Sequence, residues 1–433
     1  MARDWPHLPK LQSEDDAFSV APEGWSTCQI EHIFEKLEIG KRFDQKTSFP
    51  SGKIPVIDQS AYGFVGYHDE EPGVVAAKTS PVITFANHTC EMRVMRRPFS
   101  VIQNVFPMVG RPGVCETLFF YYSTKGRVHL EEYKGHYPDF RRLWINLPPL
   151  AEQKAIAAVL GALDDKIELN RRMNATLEAM ARALYQSWFV DFDPVRAKLD
   201  GREPVGLDPA TAALFPEHFV ESALGPIPQR WEVCSLANKI ELLSGGTPKT
   251  SEPNYWDGDI PWYSVKDAPS ETDIWVIQTE KQVTKLGVDN SATQVLPEGT
   301  TIISARGTVG RLALVGTQMA MNQSCYGVRG VNAYADFFTY FSLRQATADL
   351  QQRTHGTVFD TITRQTFETL DYIFPPAPLM QAFDRTVEPS LAQMRANIHQ
   401  SHTLTTLRDT LLPKLLSGEL MAKDAESLIG KVA

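Results

Sequence analysis

The sequence contains few cysteines and no long apolar run, and each absence excludes a class of protein. Its five cysteines are scattered, without a CxxC pair or a regular spacing, at Cys28, Cys90, Cys115, Cys234 and Cys325. Such a set is typical of reduced thiols in a core, and indicates neither a disulfide framework nor a zinc site. No uncharged apolar stretch of about 18 residues occurs, and residues 1–16 lack the apolar core of a signal peptide. We therefore expect a cytoplasmic protein that contacts no membrane.

The sequence also lacks the common motifs of methyl-transfer, nuclease and ATP-driven enzymes. It has no Gly-x-Gly-x-x-Gly turn and no Walker lysine loop. A leucine separates Asn146 from the two prolines that follow, and no aromatic residue comes next, unlike the loop that holds a flipped adenine. Asp191, Asp193 and Lys198 have the residue types of a nuclease centre but lie on a proline-broken stretch. We predict no catalytic residue, no metal site and no cofactor in this chain.

Charge is distributed unevenly along the chain, whose formal net charge is −9 at pH 7. Residues 1–77 carry 7 basic and 13 acidic side chains, whereas residues 78–142 carry 10 basic and 5 acidic. Residues 301–364 are basic again, with 6 basic and 3 acidic side chains. Two separate basic regions permit contact with phosphate, although a run of charge is more often only a solvated face.

One unit of the sequence is used twice. Three motifs near its start recur with the same offset of 206 residues, which pairs Pro22 and Trp25 with Pro228 and Trp231, Leu37 and Gly40 with Leu243 and Gly246, and Ile54 and Pro55 with Ile260 and Pro261. Farther along, residues 81–85 resemble 300–305, each a run typical of a strand, and residues 99–104 resemble 319–324. Each copy ends on an apolar strand and a double proline, which predicts a domain boundary.

After each double proline the apolar spacing changes to that of a helix. The first seam repeats at four and three residues over about 33 residues. Its members are Ile156, Leu160, Leu163, Ile167, Asn170, Asn174, Leu177, Ala181, Leu184 and Trp188. The second seam is less regular and contains Leu391, Met394, Ile398, Leu404, Leu411 and Leu415. A helix over residues 151–189 would be roughly 58 Å long.

Two features of these helices have structural consequences. Pro389 and Pro413 are expected to bend or end the second helix locally. Asn170 and Asn174 are either an exposed bend or a polar pair that sets the register, and the sequence leaves both interpretations open. Because a whole globular domain lies between the two single-seam helices, they are expected to pack on each other in antiparallel orientation.

These patterns predict an α+β chain in which two globular α/β domains are separated by an antiparallel coiled coil of two long helices. The predicted boundaries are a loosely held N-terminus at 1–20, a first domain at 21–147, a first spacer helix at 148–190, a proline-rich connector at 191–224, a second domain at 225–375, a second spacer helix at 376–421 and a loose tail at 422–433. The two copies match most strictly at their entry and diverge around Arg93 and Arg306. We therefore expect the residues that form the scaffold to lie early in each domain, and the residues that determine DNA specificity to lie late in it.

Several segments, in this order, resemble the specificity (S) subunits of type I restriction–modification systems. They are Leu-Pro-Pro-Leu-Ala-Glu-Gln at 147–153, Ser-Trp-Phe-Val-Asp-Phe-Asp-Pro-Val-Arg-Ala-Lys at 187–198, Gly-Gly-Thr-Pro-Lys-Thr at 245–250, Tyr-Trp-Asp-Gly-Asp-Ile-Pro-Trp at 255–262, Ser-Ala-Arg-Gly-Thr-Val-Gly at 304–310, Met-Asn-Gln-Ser-Cys at 321–325 and Leu-Pro-Lys-Leu-Leu-Ser-Gly-Glu-Leu at 412–420. The resemblance extends from about residue 22 to 420. The second helix departs from the pattern, because it opens with Ala-Pro-Leu-Met-Gln and keeps only the glutamine, Gln381.

The resemblance implies a subunit that binds double-stranded DNA and is not catalytic on its own. Each globular unit would be a target-recognition domain that reads one half of a bipartite, asymmetric site. The helices would set the spacer between the halves and dock two methyltransferase subunits, through which translocating restriction subunits join. S-adenosylmethionine, ATP and Mg²⁺ would then belong to those partner subunits.

Candidate DNA contacts follow from the chemistry of base recognition. Arginine pairs with guanine and asparagine or glutamine with adenine, while lysine, serine and threonine mostly hold phosphates. In the first unit the candidates are Gln59, Tyr62, His88, Arg93, Arg96, Arg97, Asn104 and Arg111. In the second they are Thr247, Lys249, Lys266, Arg306, Thr308, Asn322, Gln323 and His355. Asn322 and Gln323 have a second interpretation, as buried supports of the loop around Arg306.

Two other functions are compatible with this sequence. The chain would be a methyltransferase with divergent motifs if it transferred methyl groups without a partner. It would be a coiled-coil adaptor if its globular domains bound protein and not DNA.

Overall fold

The structure is a computed structural model that describes residues 21–60, 63–130, 134–270, 273–331, 335–353 and 361–429. It contains two compact units. The first lies within residues 1–167 and 402–433, and the second spans residues 168–401. Each unit therefore contains part of each long predicted helix.

The first part of the chain forms short strands, two short helices and one long helix. In chain order these are β1 (Ser26–Gln29), β2 (Phe34–Lys36), β3 (Ile54–Ile57), β4 (Phe64–His68), β5 (Val82–Ala86), β6 (Met92–Met95), β7 (Ser100–Val101), β8 (Val105–Gly110), α1 (Thr117–Thr124), α2 (Tyr137–Arg141), β9 (Trp144–Leu147) and α3 (Leu150–Phe189).

The second part repeats this pattern with additions. Its elements are α4 (Asp193–Leu199), α5 (Pro209–Leu214), β10 (Phe219–Ser222), β11 (Gly225–Pro228), β12 (Glu232–Ser235), β13 (Ile240–Ser244), β14 (Trp256–Tyr263), β15 (Trp275–Val276), β16 (Lys281–Val283), α6 (Lys285–Asp289), β17 (Thr301–Ser304), β18 (Leu312–Val315), β19 (Ala320–Met321), β20 (Cys325–Gly330), α7 (Asp336–Arg353), α8 (Arg364–Thr369), β21 (Asp371–Phe374), α9 (Ala377–Ser417) and α10 (Ala422–Ile429).

The strands of the first unit form an antiparallel sheet of order β2–β8–β5–β6, a sheet of order β4–β3–β7, and the pair β1–β9. All pairings are antiparallel except that of β3 with β7. Strand β5 is buried along its whole length, as expected of a central strand of β-branched and aromatic residues. Phe85 stacks on Phe140 of α2 with ring centroids 4.4 Å apart, so α2 closes the core over this sheet.

The second unit has the same plan. Its sheets have the orders β13–β20–β17–β18–β15, β16–β14–β19 and β12–β21, together with the β10–β11 hairpin. Phe34 pairs with Gly110 in the first unit, and Ile240 pairs with Gly330 in the second. The offset between the two copies is thus 206 residues from Phe34 to Ile240, and 220 residues from Gly110 to Gly330. The offset is already 218 at β17, because the second unit has a longer segment before that strand, which adds β15 and α6. It reaches 220 at β18, because the loop between β17 and β18 is two residues longer than its counterpart. The doubled unit expected from the sequence is confirmed.

Helices α3 and α9 are antiparallel, as expected. In the first unit Asp164 accepts a hydrogen bond from Arg408 at 2.7 Å. In the second unit Asn170 donates to Ser401 at 3.2 Å, and the rings of Trp188 and Phe383 lie 6.0 Å apart. As the residue number rises along α3, the number of the contacting residue on α9 falls. Only an antiparallel pair of helices gives this order.

Most of the predicted seam lies inside this pair. The buried members are Ile156, Leu160, Leu163, Asn170, Asn174, Trp188, Leu391, Met394, Leu411 and Leu415. The partly buried members are Ile167, Leu177, Leu184, Ile398 and Leu404. The seam therefore forms the contact face along both helices.

The two seam asparagines form a buried polar cluster, so they are not an exposed bend. The carboxamide N–H of Asn170 donates to Gln400 Oε1 at 2.9 Å. Asn174 Oδ1 accepts from Asn397 at 2.9 Å, and its own N–H donates to Asp273 Oδ1 at 3.0 Å. Because a slip of either helix would leave buried amides without partners, this cluster sets the register of α3 against α9.

The prolines of the second helix do not end it. Helix α9 continues through Pro389 and Pro413 to Ser417. Both rings are on the exposed side of the helix. A proline there removes one backbone hydrogen bond but leaves the apolar face intact, and the packing of that face maintains the helix.

The predicted proline-rich connector and the tail that was predicted to be loose both contain regular structure. The connector at 191–224 contains α4, α5 and β10, and its Val195 and Phe215 are buried in the core of the second unit. In the predicted tail, α10 begins at Ala422, whose backbone N–H donates to Glu152 at 2.9 Å. The predicted N-terminus at 1–20 lies outside the described residues.

The glutamine shared by the two helix openings does not occupy matched positions. Gln153 is buried and donates to Val114 O at 3.0 Å and Pro148 O at 2.8 Å. Because β9 and β21 pair in matched registers, the counterpart of Gln153 is Met380, which is fully buried, whereas Gln381 is exposed. The interpretation of Gln381 as the retained residue is therefore wrong.

In the second unit an aspartate of α9 holds the start of α7. The Asp384 carboxylate accepts from the backbone N–H groups of Phe338 at 2.8 Å and Phe337 at 3.1 Å. Removal of this carboxyl from solvent raises its pKa to about 7, and the nearby charges of Asp336 and Glu388 act in the same direction. The two amides oppose the shift without cancelling it.

This raised pKa predicts a pH dependence of stability. Between about pH 4 and pH 7 the unfolded chain has lost the Asp384 proton, whereas the folded chain retains it. The folded state then binds more protons, so this group's contribution to the free energy of unfolding decreases as the pH rises through that window. The Asp384→Asn variant should lose this contribution in urea unfolding at pH 5 and pH 8, and the exposed Asp371→Asn variant is the control. The account is contradicted if Asp384→Asn leaves the difference between the two pH values unchanged.

Candidate nucleic-acid interface

Both units present the same tight turn at the start of an inner strand of their largest sheet. It joins β7 to β8 at residues 102–104 and β19 to β20 at residues 322–324. At its start, Ile102 N–H donates to Ile57 O at 3.1 Å, and Asn322 N–H donates to Tyr263 O at 2.9 Å. These donors and acceptors are the matched residues of the two copies, so the backbone of the turn is held in the same way twice.

The end of each turn is tied to a second loop. Asn87 N–H donates to Asn104 O at 2.9 Å, and Ala305 N–H donates to Ser324 O at 2.8 Å. We call residues 87–89 with 102–104 the first turn edge, and residues 305–308 with 322–324 the second turn edge. These two hydrogen bonds match. His88, which follows the donor Asn87, is therefore equivalent to Arg306, which follows the donor Ala305.

The first turn edge brings together three of the predicted DNA contacts. His88 N–H donates to Gln59 Oε1 at 3.0 Å, and the His88 ring lies 3.2 Å from the Asn104 carboxamide. Asn104 has a positive φ of 65°, a conformation that asparagine adopts more readily than most residues. Gln59, His88 and Asn104 come from three separate loops, so only the fold makes them neighbours.

The second turn edge brings together another group of predicted contacts. The Thr247 hydroxyl donates to the Gln323 carbonyl oxygen. Gly245 makes this approach possible, because a Cβ there would lie 2.0 Å from the backbone oxygen of Asn322. Asn322 is half-buried, and its side chain accepts from Ser324 N–H at 3.0 Å, which supports the turn. Gln323 is exposed, so only Asn322 has the supporting geometry.

Arg306 lies on the loop of the second turn edge. The loop bends at Gly307, where φ is +78°, and the Ser304 hydroxyl closes it by donating to the Thr308 carbonyl. Arg306 and Thr308 are both exposed. Among the residues that the structure describes, the guanidinium of Arg306 has no hydrogen-bond or ion-pair partner. It is therefore available to a ligand.

The two predicted lysines of the second unit lie in exposed positions. Lys249 follows the loop that carries Thr247, and its carbonyl accepts from the Trp256 indole at 3.1 Å. Lys266 lies in the short 3-10 turn Val265–Asp267 after β14. Neither lysine is part of the second turn edge.

Most arginines predicted in the first unit are already paired within it. Arg93 on β6 donates to the backbone oxygens of Asp58 and Ser60, and burial lowers the pKa of its guanidinium. Arg96 forms an ion pair with Asp165 of α3, and Arg111 lies 3.9 Å from Glu35. These side chains support loops and the helix, while Arg97 is exposed.

The second unit shows no counterpart of the Arg93 arrangement. Arg93 pairs across the sheet with Thr84, and the matched pair in the second unit is Ala313 with Ile302. The Arg93 arrangement is found in one copy alone, so it is not part of the structure that the two turn edges share.

The remaining predicted contacts, Tyr62 and His355, lie outside the described residues.

The structure adds polar residues that the sequence analysis missed. A cleft of about 600 Å³ beside the predicted contact Asn104 is lined by Lys36, Arg42 and Gln103, among others. In the second unit Arg364 lies close to Leu242 O at 3.4 Å and to Ser244 Oγ at 3.3 Å. By the strand registers Leu242 is the counterpart of Lys36, so a basic side chain is present at this matched strand position in both units. The sequence did contain a signal for Gln103, because the match of residues 99–104 with 319–324 aligns it with the predicted contact Gln323.

Two features are absent from the part of the chain that the structure describes. Within these residues no group of three or more histidine, cysteine, aspartate or glutamate side chains is placed to hold a metal ion. None of the described helices combines the length and the apolar character needed to cross a lipid bilayer.

Comparison with known proteins gives one consistent result. A family model described as "Type I restriction modification DNA specificity domain" matches residues 22–179 and 228–382, which together exceed half of the chain. The two matched stretches coincide with the two copies of the repeated unit, each extended into the helix that follows it.

Individual relatives agree with the family model. The chain is 28% identical over 319 residues to the type I restriction enzyme HindI specificity subunit of Haemophilus influenzae, covering 64% of this chain and 69% of that protein. It is 25% identical over 360 residues to the type I restriction enzyme MjaIX specificity subunit of Methanocaldococcus jannaschii, covering 76% and 75%.

A solved structure shows the same fold. The S subunit of a type I restriction–modification system from M. genitalium matches with a TM-score of 0.55 at 16% identity, over 90% of this chain and 96% of that chain. From the doubled domain, the paired helices and the family match, we conclude that this chain belongs to the type I restriction–modification DNA specificity family.

Proposed function

We propose that this chain is the non-catalytic specificity subunit of a type I restriction–modification complex, and that each unit reads one half of a bipartite, asymmetric DNA site. The observation that carries the proposal is the doubled turn edge. Its backbone is held by matched hydrogen bonds in both units, while the side chains at equivalent positions differ, as with His88 and Arg306. One scaffold with two sets of side chains is suited to two unrelated half-sites.

The long helices would set the distance between the half-sites. Helix α3 is a single element of 40 residues that begins in the first unit and ends in the second. Its rise of 1.5 Å per residue gives a length of about 60 Å. Each unit also fastens α3 by polar contacts of its own, Tyr122 with Asp164 at 2.8 Å in the first and Arg344 with Glu178 in the second.

Other subunits would supply the chemistry. S-adenosylmethionine, ATP and Mg²⁺ would be bound by the methyltransferase and restriction subunits, in keeping with the absence of their motifs from this sequence. Two methyltransferase subunits would dock on the helices. The three large apolar side chains exposed on α3, Leu169, Met173 and Met180, are suited to one such contact, since they are 46%, 36% and 59% exposed. Their spacing of four and seven residues places them on one face of α3, roughly a quarter turn from the seam.

The spacing role predicts the effect of lengthening both helices. Seven residues inserted after Ile167 and seven after Thr403 keep the seam in phase and lie between the contacts Asp164–Arg408 and Asn170–Ser401. The helices should lengthen by about 10 Å, equivalent to about 3 bp of DNA. Mapping the modified motif should show a longer unread gap between unchanged halves. A changed half-site with an unchanged gap would contradict the role of the helices.

The docking face predicts a loss of assembly when charge is placed on it. The Met173→Glu and Met180→Glu double variant should fold normally, because both side chains point away from the seam, but should no longer co-purify with the methyltransferase subunit. Ala179→Glu is the matched control, since Ala179 is exposed on another face of the same helix. Equal co-purification of both variants would exclude this face as the contact.

The second turn edge predicts a DNA-binding variant. Arg306→Ala should weaken binding of the complex, assembled with its methyltransferase subunits, by about 10-fold or more, as expected for an arginine at a base edge. Lys285→Ala, an exposed lysine on α6 of the same unit, should have little effect. The measurement is a titration of labelled target DNA at several salt concentrations. Unaltered affinity of Arg306→Ala would remove this residue from the interface.

A further inference from the structure

Gln103 and Gln323 occupy the middle position of the two matched turns, and both are exposed. The residues around them differ between the copies. Ile102 and Asn104 stand where the second unit has Asn322 and Ser324. Glutamine is thus the one side chain of this turn that both units share, at a position where the backbone ties are also the same.

Neither turn needs a glutamine for its own structure. The backbone hydrogen bonds that hold the turn come from the residues on either side, and a side chain of any polar type fits an exposed middle position. The Gln103 carboxamide has no hydrogen-bond partner among the described residues. The Gln323 carbonyl oxygen accepts from Thr247, which leaves its N–H groups and the second lone pair of that oxygen for a ligand. Folding therefore does not explain why the residue is the same twice.

Basic residues lie at matched strand positions in the two units but come from unrelated places in the sequence. In the first unit Lys36 and Arg42 line the cleft that also contains Gln103. In the second unit Arg364, at the start of α8, reaches the backbone of β13 at the counterpart of Lys36. Positive charge at matched places is suited to the phosphates, which both half-sites possess whatever their sequence.

With cations placed for the phosphates, the neutral carboxamide is suited to a base. A glutamine side chain forms two hydrogen bonds with the N6 and N7 atoms of adenine in the major groove, donating to N7 and accepting from N6. We propose that Gln103 and Gln323 are the same DNA-contacting residue of the two domains, and that each pairs with an adenine in its own half-site. This inference rests on the proposed function and names the one base that the two unrelated halves have in common.

The test uses the complete complex of this chain with its methyltransferase subunits, and a DNA library with randomised positions. Methylated molecules are sequenced to give the recognition profile. Gln103→Ala should reduce the preference for adenine by about 10-fold at one position of one half-site. Gln323→Ala should do so at one position of the other half, with the rest of each profile unchanged. Gln282→Ala, an exposed glutamine on β16, is the matched control and should leave the profile intact.

A charged variant sharpens the expected result. Gln103→Glu keeps the size of the side chain but removes its N–H donors, and a carboxylate accepts from the N4 amino group of cytosine. The preferred base at the affected position should therefore shift from adenine towards cytosine. A structural role for Gln103 would not produce a change of base at one position.

The outcomes separate this inference from the function on which it rests. If the unaltered complex gives a two-part motif but the glutamine variants only weaken methylation of all sequences equally, the residues contact the backbone and the inference is wrong while the function stands. A loss of preference at a position that is not adenine also overturns it. A profile of the unaltered complex without two separate halves would overturn the proposed function itself.

Discussion

Helix α3 must satisfy two hydrophobic cores along one uninterrupted stretch of backbone. Its first part packs with Leu411 and Leu415 in the core of the first unit, and its last part packs with Phe383 and Leu391 in the core of the second. Because an α-helix has a fixed rise, we propose that the length of α3 determines the distance between the two half-sites. Everything proposed for the spacer follows from this constraint.

Apolar packing alone would not fix that distance. A seam of leucines tolerates a slip by one heptad, since similar side chains meet again. The side chains of Asn170, Asn174 and Asn397 are buried. Asn397 donates directly to Asn174, and Asn170 donates to Gln400 of α9, so a slip would break both hydrogen bonds. Leaving a buried amide unpaired costs about 1–3 kcal/mol. The polar cluster thus makes one register more stable than its alternatives.

The sequence was sufficient for the architecture because architecture depends on pattern. The motifs at offset 206 and the long seam predicted two domains and two antiparallel helices, and the strand registers agree with that prediction. Local rules failed where tertiary packing dominates. Pro389 lies within a continuous helix because the opposite face is packed, and Met380, not Gln381, matches Gln153 because the β12–β21 register decides the correspondence.

The site was harder to predict than the fold, for a physical reason. Basic residues can be counted in a sequence, but their partners cannot. Arg93 and Arg96 have the right chemistry for DNA, yet the fold uses both for contacts inside the first unit. Conversely, Arg364 reaches the second sheet from a distant helix, a proximity that no spacing in the sequence indicates. The dependable signal was the repeat itself, since a position matched in both copies has matched surroundings.

The central proposal is that two copies of one domain, which carry different DNA-contacting side chains, read the two halves of one split DNA site. Mapping modified bases across the genome of a host that carries the complete system tests it most directly. The account predicts a single motif with two unrelated halves and an unread gap of constant length. A continuous motif, identical halves, or a gap that varies from site to site would contradict it.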